Sequence, residues 1–161
     1  MIELEISPDI LLKAKLKADE LGSLKKSFLN GKGNLTGFLG EALAQSFIGG
    51  REENTFEYDI ISPSGHTIDV KSKKTAVKPL PHYECSIPAY SHQKCDFYFF
   101  VRIEKNTSVG WILGYKESSE YFKEATFLKK GTVDPSNNFV LQIDSYNLPI
   151  SNLQNDYARF I

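Results

Sequence analysis

The segment Tyr58-Asp59-Ile60-Ile61-Ser62-Pro63-Ser64-Gly65-His66-Thr67-Ile68-Asp69-Val70-Lys71 constrains the fold more than any other stretch of the chain. Its two flanks alternate and are rich in isoleucine, valine and threonine, while proline and glycine between them supply a turn, which is the pattern of a β-hairpin. With Pro63, Ser64 and Gly65 as the loop, Ser62 faces His66 and Asp59 faces Asp69. Directly opposed residues have Cβ atoms about 5 Å apart, and like charges there destabilise a sheet. A cation belongs between them. Period-two alternation sets Asp69, Lys71 and Lys73 on one face and turns Ile68 and Val70 to the other, towards a core.

Two carboxylates beside a backbone carbonyl make an oxygen-only set suited to Mg²⁺, with Mn²⁺ able to substitute. In this reading Asp59 and Asp69 are ligands, the carbonyl of Val70 is a third, and Lys71 orients or helps deprotonate a water. The reaction that fits is metal-assisted hydrolysis of a phosphodiester. A hairpin of solvated Asp–Lys pairs is the competing account of the same residues, because D-x-K alone is a short pattern.

Upstream, Leu35, Phe38, Leu39, Ala42, Leu43 and Phe47 follow helical spacing from Asn34 to Ile48, with Asn34 as N-cap and Gly49-Gly50 as the stop. Glu41 lies off the apolar stripe, on a strip with Gly37 and Ala44 where small side chains admit a close neighbour. It either reaches a site shared with the hairpin or is a solvated helix glutamate.

The order of these residues resembles the PD-(D/E)XK, or restriction-endonuclease-like, nuclease superfamily, over roughly residues 34 to 103. Gly-Phe-Leu-Gly-Glu and Ile-Asp-Val-Lys-Ser-Lys are similar to segments of small phage and bacterial nucleases of this type, homing-endonuclease relatives included. The resemblance implies a three-layer α/β/α core around a mixed sheet of four to five strands. It also implies that Asp59 and Asp69 bind the metal, that Lys71 assists the water, and that Glu41 contributes. Tyr58 stands where the motif has proline, a structural and not a catalytic position.

A chain of 161 residues, 41% of them hydrophobic, is expected to form one domain with its own core. Within it, 1–33 form a helical N-terminal segment, 34–103 the catalytic core, and 104–161 strands and a short helix. No stretch is apolar enough for a bilayer span and no signal peptide is evident, so a soluble, cytoplasmic protein is expected. The net charge of −1 is not that of a protein that coats nucleic acid. Lysines are nevertheless concentrated locally: Lys13, Lys15, Lys17, Lys25, Lys26 and Lys32 before the site, and Lys71, Lys73, Lys74 and Lys78 through it. Of these, Lys73 and Lys74 are the expected DNA contacts.

Ser7-Pro8 starts a first helix over Asp9 to Leu21, and Asn30-Gly31-Lys32-Gly33 reads as a simple turn in preference to a phosphate-approaching loop, since no Walker-type spacing follows. Tyr83 to Ile87 reads as a strand, and Pro88 to Lys94 as a short helix that carries His92 and Gln93 towards the cleft, where Gln93 contacts DNA. Phe97 to Ile103 is a central strand with both faces covered, and Val109 to Tyr115 its neighbour. Trp111 is core, Glu117 to Ala125 a short helix, Lys129-Lys130-Gly131 a solvated turn or else a contact to a DNA backbone, Asn137-Asn138 a turn, and Phe139 to Ile143 a late strand. His82-x2-Cys85 and His92-x2-Cys95 have zinc-like spacing, but a buried thiol leading into the apolar strand is the simpler account of Cys95. A disulfide is not expected.

The expected function is a Mg²⁺-dependent DNA endonuclease, a homodimer suited to two antiparallel strands, with no organic cofactor and no membrane partner. The alternatives are a non-catalytic nucleic-acid-binding protein on the same fold, and a structure-specific nuclease for junctions, ends or RNA.

Overall fold

In the computed structural model, residues 1–21, 34–53, 55–91, 93–134 and 139–161 are described. The apolar run Phe97–Glu104 forms strand β6, buried along all but its last residue. A strand so apolar needs cover on both faces and partners on both edges. β4 (Thr67–Thr75) runs parallel to it on one edge and β7 (Val109–Glu117) antiparallel on the other. β1 (Ile2–Glu5) pairs outside β7, while β3 (Ile60–Ile61) and β2 (Arg51–Glu52) follow outside β4. The result is a six-stranded mixed sheet in the order β1-β7-β6-β4-β3-β2.

Two helices, α1 (Pro8–Leu21) and α2 (Asn34–Ile48), cover one face. Leu39, Leu43, Ala44 and Ile48 of α2 meet Ile68, Val70, Phe99 and Val101 of the sheet. Contact is closest at Gly40, where an added Cβ would lie 1.6 Å from Ser72 Oγ and 2.8 Å from Ser72 Cβ. Gly49 and Gly50 end α2 at φ 76° and 90°, a backbone that side chains disfavour. Phe160, from a final 3-10 turn, is fully buried in this core, within ring contact of Phe97, Phe99 and Tyr115.

The opposite face carries Tyr98, Phe100, Trp111 and Leu113, which pack on Cys85, Ile87, Tyr121 and Leu148. These come from a second antiparallel sheet, β5 (Glu84–Pro88), β11 (Ser145–Pro149) and β8 (Thr126–Leu128), and from helix α3 (Ser118–Glu124). The buried Tyr121 hydroxyl lies 2.8 Å from the Cys85 carbonyl and 2.9 Å from that of Tyr146, and so ties α3 to this sheet. β9 (Val133–Asp134) and β10 (Phe139–Val140) form a separate pair.

The mixed α/β class, the central place of residues 97–103, the strands at 83–87 and 109–115, the helices at 9–21, 34–48 and 117–125, and the burial of Trp111 agree with expectation. Several features differ. The main sheet has six strands where four to five were expected, because Ile2–Glu5 and Arg51–Glu52 add short edges whose length carries no clear periodicity. The second face is covered by a small sheet with one short helix, in place of a helical layer. The described part of 88–94 forms no helix: Ser91 N bonds the Pro88 carbonyl in a turn, and Ala89 N bonds Asp144 O. The late strand is Ser145–Pro149, and only Phe139–Val140 of 139–143 is extended. Its Asn147 is buried and bonded to Ser86 and Ser145, so its polarity hid it. Among the described residues no helix is long and apolar enough to cross a membrane.

Candidate active site

The hairpin forms in the expected register. Ile60 pairs with Ile68 and Ile61 with Thr67. At the turn, Ser62 N bonds His66 O at 2.9 Å, Gly65 N bonds Ser62 O at 2.9 Å, and Ser62 Oγ accepts from His66 N at 3.0 Å. One step further the same register sets Asp59 across from Asp69, but β3 has ended there. Asp59 N donates to Ile68 O at 2.9 Å, and the Asp59 carboxylate turns across the gap to accept from Val70 N at 2.7 Å. A side chain thus satisfies a donor that the missing strand would have taken. The N–H and C=O of one strand residue project to the same edge, so the Val70 carbonyl faces this gap as well.

Asp69 is buried beside Tyr98, its neighbour on β6. Lys71 Nζ lies 2.6 Å from Asp69 Oδ2. This close ion pair opposes the effect of burial on the Asp69 carboxyl. Lys71 also sits 5.8 Å from the centroid of the Tyr98 ring, a favourable place for an ammonium.

Burial raises the Asp59 carboxyl to about 7, and the charges of Glu41 and Asp69 add to the shift, against the opposing Val70 N–H and Lys71. Glu41 and Asp69 are raised too, in both cases chiefly by burial. On Glu41 the charge of Asp69 adds to this, while Lys17 and Lys71 oppose it. Three acids therefore share one desolvated region that disfavours their charged forms.

The elements explain how Glu41 arrives. Gly40 lets α2 descend onto Ser72, so the next residue emerges beside the open edge of β4. Close approach is thus provided by Gly40 and not by the expected Gly37, where an added Cβ would meet only Glu41 Oε1 at 3.9 Å. Lys17 is the residue that sequence reasoning missed as part of the site. From α1 it acts on both Glu41 and Asp59, burial lowers its own pKa, and it is ion-paired with Glu52, as is Lys13 at 3.3 Å. Nothing in the sequence distinguishes it from the other lysines of that helix.

Lys73 and Lys74 are exposed on β4 beyond the acids, and Lys73 borders the same cavity as Lys71, with Ser86 and Arg102. Gln93 is half-buried, with Oε1 buried and lacking a hydrogen-bond partner. Its segment runs beside the site: Lys94 N bonds Glu57 Oε2 at 2.6 Å, and Cys95 shares the surroundings of Asp69. Cys85 and Cys95 are free and buried, and burial pushes each thiol up to about 12, opposite to what a thiolate ligand requires. His92, Lys25, Lys26, Lys32, the turns at 30–33 and 137–138, and the capping side chain of Asn34 lie outside what is described.

Among the described residues no three His, Cys, Asp or Glu side chains already form a metal-ligand group. Comparison of the sequence with protein-family models and with curated proteins finds no match.

Proposed function

We propose that this chain is a divalent-metal-dependent DNA endonuclease of the restriction-endonuclease-like type. The observation that carries this reading is the meeting of Glu41, Asp59 and Asp69 at the open edge of β4, with Lys71 paired to Asp69.

The donor set suits a hard cation. All three side chains are carboxylates, the Val70 carbonyl faces the same gap, and each acid is raised chiefly by its burial. One Asp59 oxygen is held by Val70 N and one Asp69 oxygen by Lys71. Asp59, Asp69, Glu41 and the Val70 carbonyl would hold Mg²⁺ or Mn²⁺, which when bound neutralises charge at a phosphodiester and makes water more acidic.

The remaining work falls to the protein. Lys71, fixed between Asp69 and the Tyr98 ring, donates to the attacking water or to a non-bridging phosphate oxygen and holds it in line. Tyr98 and Cys95, both buried, keep solvent from the inner side of Asp69. Lys17 balances part of the acid charge from the α2 side, and Lys73 and Lys74 offer cations to the flanking backbone.

The test is incubation of the purified protein with supercoiled plasmid and with linear DNA, with and without Mg²⁺ or Mn²⁺, alongside Asp69→Ala and Lys71→Ala. Metal-dependent nicking is expected, with each variant slower by about 10²-fold or more, a typical range for a positioned proton-transfer group. Folded protein that binds DNA and leaves both substrates intact would instead support a non-catalytic binding protein on this architecture.

A further inference from the structure

Past Asp69, β4 carries Lys71 and Lys73 on the same face. In the parallel pairing with β6, Lys71 stands beside Phe100 and Lys73 beside Arg102, so these side chains are turned towards the second sheet. Between the two sheets lies a cavity of about 130 Å³ that Lys71, Lys73, Cys85, Ser86, Phe100 and Arg102 line. Lys73 and Ser86 are exposed, so the cavity opens to solvent. At Lys71, whose Nζ lies 2.6 Å from Asp69 Oδ2, it adjoins the acids.

Arg102 is the unusual member of this group. It is only 6% exposed, and its guanidinium crosses to β5, where Nη2 donates to the Glu84 carbonyl at 2.5 Å. A guanidinium has five donors and does not give up its charge, and a charge buried without a partner is costly. Burial lowers its pKa, and the neighbour that opposes this is the Cys85 thiol, itself pushed up to about 12 and therefore neutral at pH 7. Among the described residues, three cations and no acid line the cavity. Asp69 is paired with Lys71, and Glu84 acts on Cys85 alongside Arg102 and Lys73. With both acids counted against the three cations, one positive charge is left over in a space walled by Phe100 and Cys85, where a counter-charge is felt more strongly than in water.

We propose that this cavity seats a phosphate group of the DNA, held by Arg102 and Lys73, while Lys71 and the carboxylates face the neighbouring phosphate that is cleaved. The inference rests on the nuclease reading above and names the residues that position its substrate. The planar guanidinium matches two phosphate oxygens at once, and the lysine adds a point charge. Lys71 and Lys73 are two residues apart on one strand, about 7 Å, so successive phosphates of one DNA strand fit beside them together. A phosphodiester within the strand and a phosphate at its end present the same oxygens to this seat.

The seat is tested by fluorescence anisotropy in EDTA, over a series of NaCl concentrations, with an internally labelled DNA duplex whose ends carry hydroxyls, 5′-phosphates or 3′-phosphates. Lys73→Gln and Arg102→Met are each expected to weaken binding about tenfold and to lower the slope of log Kd against log[NaCl] by about one, the signature of one lost phosphate contact. Because both side chains hold the same phosphate, the double variant should lose little more than either single one. Affinity and salt slope unchanged in Lys73→Gln, or losses that multiply in the double variant, would overturn the seat. Lys73 is exposed, so its variant keeps the test decisive where Arg102→Met lowers Tm. Tighter binding of one phosphorylated duplex, abolished in Lys73→Gln, assigns the seat to a strand end; equal binding of all three assigns it to a phosphodiester within the strand. These measurements are metal-free and independent of the plasmid assay. Metal-dependent nicking with unchanged salt slopes would remove only the seat, whereas lowered slopes without nicking would remove the nuclease reading and leave a phosphate seat on a DNA-binding protein.

Discussion

Burial and two neighbouring carboxylates hold the Asp59 carboxyl at about 7, against about 3.9 in an unfolded chain. Between those values the folded protein keeps a proton that the unfolded chain has released, so this group's contribution to stability falls as pH rises from about 4 to about 7. Above that range the full cost of an ionised Asp59 is present. Asp59→Asn removes the charge and keeps an oxygen for Val70 N. In EDTA it is expected to melt a few degrees above wild type at pH 8 and close to wild type at pH 4.5. Differential scanning calorimetry at the two pH values decides this; an Asn variant less stable at pH 8 would mean that Asp59 is not under electrostatic strain.

At the scale of elements, the contact of α2 with β4 at Gly40 and Ser72 brings Glu41 to the hairpin. Gly40→Ala places a methyl inside the van der Waals envelope of Ser72 and is expected to cost about 1–3 kcal/mol, the usual range for overpacking. Ser72→Gly in the same chain should recover part of that loss, and additive urea-unfolding energies in the double mutant would argue against the contact. Tyr121→Phe removes a hydroxyl lying between two carbonyls and should cost about 1–2 kcal/mol, read as a lower urea midpoint. These contacts also mark what was legible in the sequence. The hairpin register followed from Pro63, Gly65 and a strict period of two, and it placed Asp59, Asp69 and Lys71 together without any tertiary information. The helix of Glu41 followed from its apolar stripe. The second sheet did not, because Asn147 and Ser145 are polar residues made tolerable in the interior by mutual hydrogen bonds. Nor did Lys17 or Gly40, whose roles depend on which helix face meets which strand.

For the whole molecule, the proposed function makes cation binding a test of stability. With Mg²⁺ at a hundred times its Kd, linkage adds about 2.7 kcal/mol to stability, or about 5–10 °C in Tm for a chain of this size. The rise is expected to be larger at pH 8 than at pH 5, since ligands must shed protons first, and to vanish in Asp69→Ala; an undiminished rise in that variant would place the binding elsewhere. Phe160 has a different consequence. Its ring fills the core against Phe97, Phe99 and Tyr115, and the adjoining Arg159 carbonyl accepts from Ser64 Oγ at 2.8 Å, on the turn that sets the Asp59 and Asp69 register. On the ribosome, the hairpin emerges almost a hundred residues before this ring, at roughly 5–20 residues per second. The nascent chain therefore carries this hairpin for several seconds before the residues that pack against its turn have been translated.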